Sequence, residues 1–288
     1  MSVPLVTRFA PSPTGLLHLG HAYSALFSFD AARRAGAEGR FLLRIEDIDH
    51  HRCRAEYESA LLEDLAWLGL EWEKPVRRQS EHLAEYAAAA DSLAARGLLY
   101  PCFCTRKDIQ REIEAAGGAP HGPEGPLYPG TCRGLSAEER RDRVASGEAH
   151  ALRLDLKRAL AEVGDPATAL DWHDAAKGRQ RGEPQILGDA VLVRKDIGCG
   201  YHLAVVWDDA RQGVTRVTRG ADLFEATHLH RLLQVLLDLP RPDYHHHDLI
   251  RDESGKRLAK RDEAETLRSL REAGATPESV RQRLGFAF

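Results

Sequence analysis

The sequence predicts an α/β fold in which a parallel sheet with helices on its faces is interrupted by an insertion. Three observations support this fold class. Residues 5–45 show the patterns of a strand, a turn, a helix and a strand. The pattern of residue types changes near Leu98, and strand and helix patterns return after residue 190. A chain of 288 residues has room for about two domains of ordinary size and for a large core.

The opening unit begins with a short apolar strand at residues 5–9, followed by a turn rich in Pro, Ser and Gly at residues 10–15. Apolar residues spaced three and four positions apart then predict an amphipathic helix that ends at Gly36. The residues on that face are Ala22, Ala25, Leu26 and Phe29. A second buried strand is predicted at residues 41–45. Strand, helix and strand in this order predict a parallel pair.

Later elements follow from the same patterns. Helices are predicted at residues 55–68, 81–95 and 225–237 and, near the end, within 263–284. Residues 117–130 contain five Gly and four Pro, which predicts a loop. Strands are predicted at residues 190–194, 203–206 and 214–217, and short polar pieces after Pro240.

The charge balance excludes a protein with a uniformly basic surface. Lys and Arg number 40 against 44 Asp and Glu, for a net charge of −4, so any nucleic-acid interface must be a local patch. The N-terminus lacks the pattern of a signal peptide, and no apolar run reaches the ~18 residues of a membrane span. We therefore expect a cytoplasmic protein without a membrane partner, whose cysteines are thiols or metal ligands.

Two imidazoles bracket a glycine where the first helix begins. His18, Gly20 and His21 follow the turn, and a helix N-terminus attracts anions through its free N–H groups and its dipole. Two histidines three positions apart face the same side of a helix and can both donate to one phosphate. A second cationic segment at residues 256–261 has the composition of a loop that closes over a polyphosphate.

Three cysteines flank or follow the Gly- and Pro-rich segment. Cys102, Cys104 and Cys132 in a region without a large apolar pattern fit a structural, tetrahedral Zn²⁺ site. The run His245-His246-His247 also suggests metal ligands. Consecutive residues of an extended segment point to opposite faces, however, so we expect these histidines on a solvated surface.

Several separated segments together resemble the class I aminoacyl-tRNA synthetases. Residues 18–21, HLGH, match the HIGH signature of that family, and residues 257–261, RLAKR, match its KMSKS loop. Four further segments resemble the glutamyl branch: RFAPSPTG at 8–15, RIEDID at 44–49, YHLAVVWDD at 201–209 and TRGADL at 218–223. The resemblance runs from residue 5 to about 262. Ala259 and Arg257 replace a serine and a lysine of the family loop, and we expect ATP use to survive these changes.

The resemblance implies a Rossmann-type catalytic domain in two halves, residues 1–98 and 176–240. Between them it implies an inserted acceptor-binding-like subdomain with the zinc site at 99–175. Residues 241–288 then hold the KMSKS loop and a short helical segment, without an anticodon-binding domain.

The family's reaction assigns roles to matching residues. Attack of the glutamate α-carboxylate on the α-phosphate of ATP, with Mg²⁺ on the polyphosphate, implies charge stabilisation by His18, His21 and Lys260. The implied ATP-binding residues are His18, Gly20, His21, Arg257 and Lys260.

The implied glutamate-binding residues are Arg8, Ser12, Glu46, Tyr201 and Arg219. Arg8 and Arg219 suit the side-chain carboxylate, and Glu46 can accept from the α-ammonium group. Ser12 and Tyr201 can add hydrogen bonds. In the metal site, the resemblance gives Tyr128 as the fourth ligand beside the three cysteines, with His121 as its rival because imidazole is the commoner zinc ligand.

Few residues follow Arg261, which makes the chain similar to truncated members of the glutamyl branch. Those proteins activate L-glutamate without tRNA and attach it to the queuosine base at the wobble position of tRNA(Asp). The implied partners are ATP, L-glutamate and the anticodon arm of tRNA(Asp), with the chain a monomer. Two alternatives remain: a minimal glutamyl-tRNA synthetase that charges a tRNA 3′ end, and a non-catalytic RNA-binding paralogue.

Overall fold

The first part of the chain alternates strands and helices around a parallel sheet. The structure, a computed structural model, describes residues 4–115, 120–123, 125–250 and 265–288. The first elements are β1 (Leu5–Phe9), α1 (Leu19–Arg34), β2 (Gly39–Ile45), α2 (Ala55–Trp67), β3 (Glu73–Arg78) and α3 (Leu83–Ala95). The strands pair in parallel in the order β1-β2-β3. Parallel neighbours need a crossover, which α1 and α2 supply, and the predicted strand–helix–strand unit is confirmed.

The middle of the chain consists of short elements. They are β4 (Leu99–Cys102), α4 (Arg106–Ala115), β5 (His121–Gly122), β6 (Gly125–Pro126), α5 (Ala137–Ala145), β7 (Ala151–Leu154), α6 (Leu156–Val163), α7 (Pro166–Ala169), β8 (Trp172–Asp174), β9 (Gly178–Gln180) and β10 (Val191–Val193). Three of the strands form an antiparallel sheet in the order β10-β7-β4. The change from parallel to antiparallel pairing lies where the pattern of residue types changes, near Leu98.

The last part returns to parallel pairing. It contains α8 (Tyr201–Arg211), β11 (Arg216–Gly220), α9 (Ala226–Leu236), β12 (Asp243–His247), α10 (Leu267–Glu272) and α11 (Pro277–Arg283). A second sheet has the order β11-β12-β8-β9, in which β12 runs parallel to both β11 and β8.

The β1-β2-β3 sheet and the β11-β12-β8-β9 sheet lie edge to edge. The Thr215 amide donates to the Val6 carbonyl at 3.0 Å, and the Arg8 side chain donates to the Thr218 carbonyl at 3.0 Å, so β1 and β11 run in the same direction. The resulting strand order, β3-β2-β1-β11-β12, is that of a doubly wound sheet. Such sheets bind ligands in the crevice beyond the carboxyl ends of their strands.

Apolar side chains of the helices form two main cores. Leu26 and Leu65 pack with Ile45 and with Leu270 of α10 in one cluster, and α3, α8 and α9 contribute to the other. Full burial of one such side chain contributes about 1.5–3 kcal/mol. Helices packed on a parallel sheet confirm the predicted α/β class. Within the described residues, every helix is too short or too polar to cross a membrane.

One predicted strand is wrong. Residues 203–206 lie inside α8, where nearly every residue from His202 to Asp209 is buried. A helix buried on several sides presents a continuous apolar run, which resembles a buried strand when periodicity is the only guide. The strand predicted at 214–217 overlaps β11, which begins two residues later at Arg216.

The prediction for His245-His246-His247 is also wrong. These residues end β12, a strand that the polar composition after Pro240 concealed, and His246 and His247 are only 4% and 6% exposed. Consecutive side chains do point to opposite faces of the strand. Because β12 is an inner strand of a sheet packed with other elements, both faces are covered.

A buried carboxylate lies where α10 packs on α2. Asp64 is 1% exposed, and neither of its oxygens has a hydrogen-bond partner among the described residues. Its nearest cation is Arg271, whose Nη2 lies 4.0 Å from Oδ1. Burial raises the pKa of Asp64 to about 6, against the opposing effect of Arg271.

We predict that Asp64→Asn stabilises the protein at pH 8. The folded state binds more protons at Asp64 than the unfolded state between about pH 4 and pH 6, so this residue makes stability fall as pH rises through that window. Above pH 6 the full cost remains, about 1–3 kcal/mol. Urea unfolding of the parent and the variant at pH 8 and pH 5 measures the stability with Asp64 mostly charged and mostly protonated. A variant less stable than the parent at pH 8 would show that attraction to Arg271 outweighs the cost of burial.

Candidate active site

An open cavity of about 600 Å³ lies beyond the carboxyl ends of β1, β2 and β11. Its size suits small-molecule substrates. Every residue predicted to bind ATP or glutamate within the described ranges lines it, namely Arg8, Ser12, His18, Gly20, His21, Glu46, Tyr201 and Arg219. Arg257 and Lys260, the two remaining predicted residues, lie outside the described residues, as does Ala259 of the same loop.

The two signature histidines cap the N-terminus of α1. Nδ1 of His18 accepts from the Gly20 amide at 3.1 Å, and Nδ1 of His21 accepts from the His18 amide at 3.3 Å. The ring centroids are 3.8 Å apart. Because each ring accepts at Nδ1, its proton stands on Nε2, and each histidine presents a donor rather than an acceptor at that atom. Together with the positive end of α1, this arrangement favours a negatively charged group.

Asp209 of α8 holds two arginines from neighbouring strands. Its Oδ1 accepts from Arg8 Nε at 2.9 Å and from Arg44 Nη1 at 2.7 Å. Burial disfavours the charged form of Asp209, but the two guanidinium groups outweigh burial and lower the pKa of its carboxyl. Arg44 also donates to Glu46 Oε1 at 3.1 Å, so Asp209 and Glu46 are connected through one buried guanidinium.

Glu46 lines the cavity directly after β2. It is 8% exposed, and burial raises the pKa of its carboxyl against the attraction of Arg44 and Arg8. Tyr201, the first residue of α8, lies across the cavity, and burial raises the pKa of its phenol. Its hydroxyl has no hydrogen-bond partner in the described part of the chain. Ser12 is exposed in the turn after β1, at the cavity wall.

Arg219 is a buried cation surrounded by neutral acceptors. It is 6% exposed, and its three guanidinium nitrogens donate to His246 Nε2 at 3.1 Å, His230 Nδ1 at 3.1 Å and Thr227 Oγ1 at 2.6 Å. No carboxylate of the described residues lies within 4 Å of it. Burial, assisted by Arg219, lowers the pKa of His246 to about 3 and that of His230 well below its usual value. The positive charge of Arg219 therefore has no direct counter-charge among the residues that the structure describes.

Five of these site residues were not predicted from the sequence: Arg44, Asp209, Thr227, His230 and His246. Asp209 lies within the recognised segment at 201–209, but its contact with Arg8 depends on β1 and α8 meeting. The alternation of side chains along an extended segment predicts His246 on a solvated surface, whereas the neighbouring strands and helices bury it. The position of Arg44 and His246 near the ends of their strands could have indicated a role in the site, since residues that end adjacent parallel strands meet at one edge of a sheet.

The cysteine cluster forms a second site. The thiol sulfurs of Cys102, Cys104 and Cys132 all lie within 4.8 Å of one another, with Cys104 and Cys132 at 3.4 Å. Sulfurs that share a Zn²⁺ at about 2.3 Å lie within this range of one another. Cys102 ends β4 and Cys132 lies in the turn at Thr131–Gly134 that follows Gly130, whose φ of +91° favours glycine. The cluster can therefore hold a metal ion.

The Tyr128 hydroxyl lies inside this cluster. It is 3.4 Å from Cys102 Sγ and 3.6 Å from Cys104 Sγ, and it accepts from the Cys132 amide at 2.9 Å. His121, the rival fourth ligand, is exposed in β5 and is not part of the close group of ligating atoms found among the described residues. The geometry thus brings Tyr128, rather than His121, to the cysteines.

The chain is similar to several known proteins. Residues 4–287 match the family described as "tRNA synthetases class I (E and Q), catalytic domain". A protein of Rhodobacter capsulatus named "Glutamyl-Q tRNA(Asp) synthetase" is 51% identical over 98% of this chain and 100% of its own length. A protein of Nitrosococcus oceani named "Glutamate--tRNA ligase 2" is 40% identical over 96% of this chain but only 57% of its own length.

A solved structure gives the same assignment of fold. The glutamate tRNA ligase of Elizabethkingia meningosepticum, crystallised in complex with its amino acid, has a TM-score of 0.80 and 27% identity. The alignment covers 98% of this chain, which spans 60% of the length of that structure. By the family match over nearly all its residues, the chain belongs to the class I tRNA synthetases of the glutamate and glutamine group, as a catalytic domain of that family.

Proposed function

We propose that this protein activates L-glutamate with ATP in the absence of tRNA and transfers it to the queuosine base at the wobble position of tRNA(Asp). The observation that carries the amino-acid part is Arg219, a buried cation beside the cavity with no carboxylate of the described residues within 4 Å. The acceptor is supported by the relatives named glutamyl-Q tRNA(Asp) synthetase, one of which this chain matches over that protein's full length.

The direct contacts at the cavity favour glutamate. Arg8 and Arg44 form ion pairs with Asp209 and Glu46, whereas Arg219 contacts only neutral acceptors among the described residues. Glutamate carries one net negative charge, whereas glutamine carries none. We assign the glutamate side-chain carboxylate to Arg219, with Arg8 as the neighbouring cation.

Other groups orient the rest of the amino acid. Glu46 accepts from the α-ammonium group, and the hydroxyls of Tyr201 and Ser12 add hydrogen bonds. These contacts direct the α-carboxylate toward the N-terminus of α1, where the triphosphate binds. Positioning of this kind supplies much of the rate in phosphoryl chemistry.

Activation is an in-line displacement. A glutamate α-carboxylate oxygen forms a bond to the α-phosphorus of ATP while the bond to the pyrophosphate oxygen breaks, and pyrophosphate leaves with the electron pair. The Nε2–H groups of His18 and His21 stabilise the phosphate charge, Gly20 allows close approach of the nucleotide, and Arg257 and Lys260 neutralise the leaving group. Enzymes of this family use ATP with Mg²⁺, which screens the polyphosphate charge.

Transfer follows at the same cavity. A hydroxyl on the cyclopentene ring of queuosine attacks the activated carbonyl carbon and gives up its proton to solvent. An ester bond forms while the bond between that carbon and the phosphate oxygen breaks, and AMP leaves with the electron pair. Because the wobble base must enter the cavity, we propose that the chain binds the anticodon arm of tRNA(Asp) as a monomer. We place this reaction in the cytoplasm, where ATP and tRNA are available.

We further propose that the cysteine cluster binds one structural Zn²⁺ through Cys102, Cys104, Cys132 and Tyr128. The sulfur separations and the phenol oxygen within 3.6 Å of two thiols support this ligand set. Its role is to fix β4 against the turn that carries Cys132, since a metal ion replaces a hydrophobic core in small insertions.

Arg219→Ala should weaken glutamate activation selectively. Loss of this cation, with which no carboxylate of the described residues is paired, should lower kcat/KM for glutamate by about thirtyfold or more, corresponding to ~2–4 kcal/mol of recognition. Pyrophosphate exchange without tRNA measures it. Arg216→Ala is the matched control, because Arg216 lies on the same strand with its guanidinium near Asp243, outside the cavity. Exchange that the parent protein supports equally with glutamine would contradict the assignment.

The zinc proposal predicts about one zinc per chain by elemental analysis. Tyr128→Phe should weaken zinc affinity measured by competition with a chelator, because the phenol oxygen is lost while the ring is kept. His121→Ala should leave the affinity unchanged. A loss of zinc affinity in His121→Ala but not in Tyr128→Phe would make His121 the fourth ligand. Metal-free protein of normal stability would contradict a structural zinc site.

The acceptor is tested with radiolabelled glutamate, ATP and two tRNA(Asp) preparations, one with and one without queuosine. Label should appear only on the queuosine-containing tRNA, because unmodified guanine offers no cyclopentene hydroxyl. The bond should be an ester that mild base releases. Label on the terminal adenosine of tRNA(Glu) would instead support a minimal glutamyl-tRNA synthetase.

A further inference from the structure

The substrate-facing arginine is held from behind by a buried histidine. His246 Nε2 accepts from Arg219 Nε at 3.1 Å. Thr227 Oγ1, which accepts from Arg219 at 2.6 Å, lies 3.3 Å from the same imidazole nitrogen. The lone pair of Nε2 therefore faces two groups that can donate to it, and this requires the imidazole tautomer with its proton on Nδ1.

Asp174 fixes that tautomer. Its Oδ2 lies 2.7 Å from His246 Nδ1 and also accepts from the His246 backbone amide at 3.1 Å. Its other oxygen accepts from the amides of Ala176 and Lys177 at 2.9 and 3.0 Å. An ionised carboxylate only accepts hydrogen bonds, so Nδ1 must carry the proton. Both side chains are fully buried, which excludes water as a competing partner.

The pair joins two elements that are distant in sequence. Asp174 ends β8, which pairs in parallel with β12 at Tyr244, and His246 follows on β12. Arg219 occupies the opposite side of β12, on β11, in register with His246. Asp174, His246 and Arg219 therefore form a line across three neighbouring strands.

This arrangement orients the Arg219 guanidinium without neutralising its charge. A carboxylate in direct contact with Arg219 would hold its guanidinium but also cancel its charge. A neutral imidazole holds the guanidinium and leaves the charge for a ligand, while the Asp174 carboxylate lies one ring further away. His230 likewise holds Nη1 of Arg219 through a neutral imidazole, whose Nε2 lies 3.1 Å from His202 Nδ1.

We propose that Asp174 and His246 are positioning residues that set the affinity of Arg219 for the side-chain carboxylate of glutamate and the discrimination against glutamine. The inference rests on the proposed function, in which Arg219 binds that carboxylate. Neither residue lines the cavity.

The test compares His246→Gln with His246→Asn in pyrophosphate exchange. The amide oxygen of Gln reaches the place of Nε2, whereas that of Asn does not. We expect His246→Asn to raise the KM for glutamate at least about tenfold, with kcat and the KM for ATP within about twofold, and His246→Gln to stay within about threefold of the parent. Asp174→Asn should resemble His246→Asn, because an amide in place of the carboxylate presents a donor to groups that already donate.

His245→Asn is the matched control, since His245 lies on the same strand and packs against the Phe27 ring. It should leave all constants unchanged. Equal KM values for His246→Gln and His246→Asn would overturn the proposal, as would a fall in kcat that parallels a loss of thermal stability. If the variants do not fold, nitrogen NMR of the parent protein determines the tautomer of His246. A proton on Nε2 would overturn the proposal, which requires the proton on Nδ1.

Arg219→Ala separates this inference from the proposed function. If Arg219→Ala leaves the KM for glutamate unchanged, the assignment of Arg219 fails and the positioning role fails with it. If Arg219→Ala raises the KM but His246→Asn does not, the positioning role alone is wrong.

Discussion

Asp209 is the residue on which both the fold and the candidate site depend. It binds Arg8 of β1 and Arg44 of β2 from helix α8, so one buried carboxylate ties the first half of the sheet to the second half of the chain. Arg44 in turn holds Glu46. Removal of one partner from such a buried group typically costs about 3–5 kcal/mol, because a charge is left without compensation. The same contacts fix the groups that face the cavity.

The charges of this network explain why the cavity can select its ligand. Asp208, the neighbour of Asp209, is occupied by Arg77 at 2.7 Å, by Gln79 and by Tyr86, so it cannot turn toward the cavity. Within the described chain, Arg219 contacts neutral acceptors only. A buried cation without a carboxylate beside it favours an anionic side chain over its neutral amide. Under the proposed function, selectivity for glutamate depends on these contacts of Arg219 more than on the shape of the cavity.

Much of this could be predicted from the sequence, for physical reasons. The β1–α1–β2 unit was predictable because each element shows its own periodicity, and its motifs meet at one edge of the sheet because they end parallel strands. The sequence did not predict β12, whose burial depends on the strands beside it rather than on its own polar residues. His246 was misplaced for that reason. The cysteine spacing predicted a cluster, whereas the position of Tyr128 within it came from the resemblance and agrees with the geometry.

The most direct test of the charge argument is a crystal structure of the protein with L-glutamate and a non-hydrolysable ATP analogue. We expect the glutamate side-chain carboxylate to lie about 3 Å from the Arg219 guanidinium, with the α-ammonium group beside Glu46. Arg219 should keep its contacts with His246 and His230 in that complex. A side-chain carboxylate bound elsewhere, with Arg219 paired instead to a protein carboxylate, would contradict it.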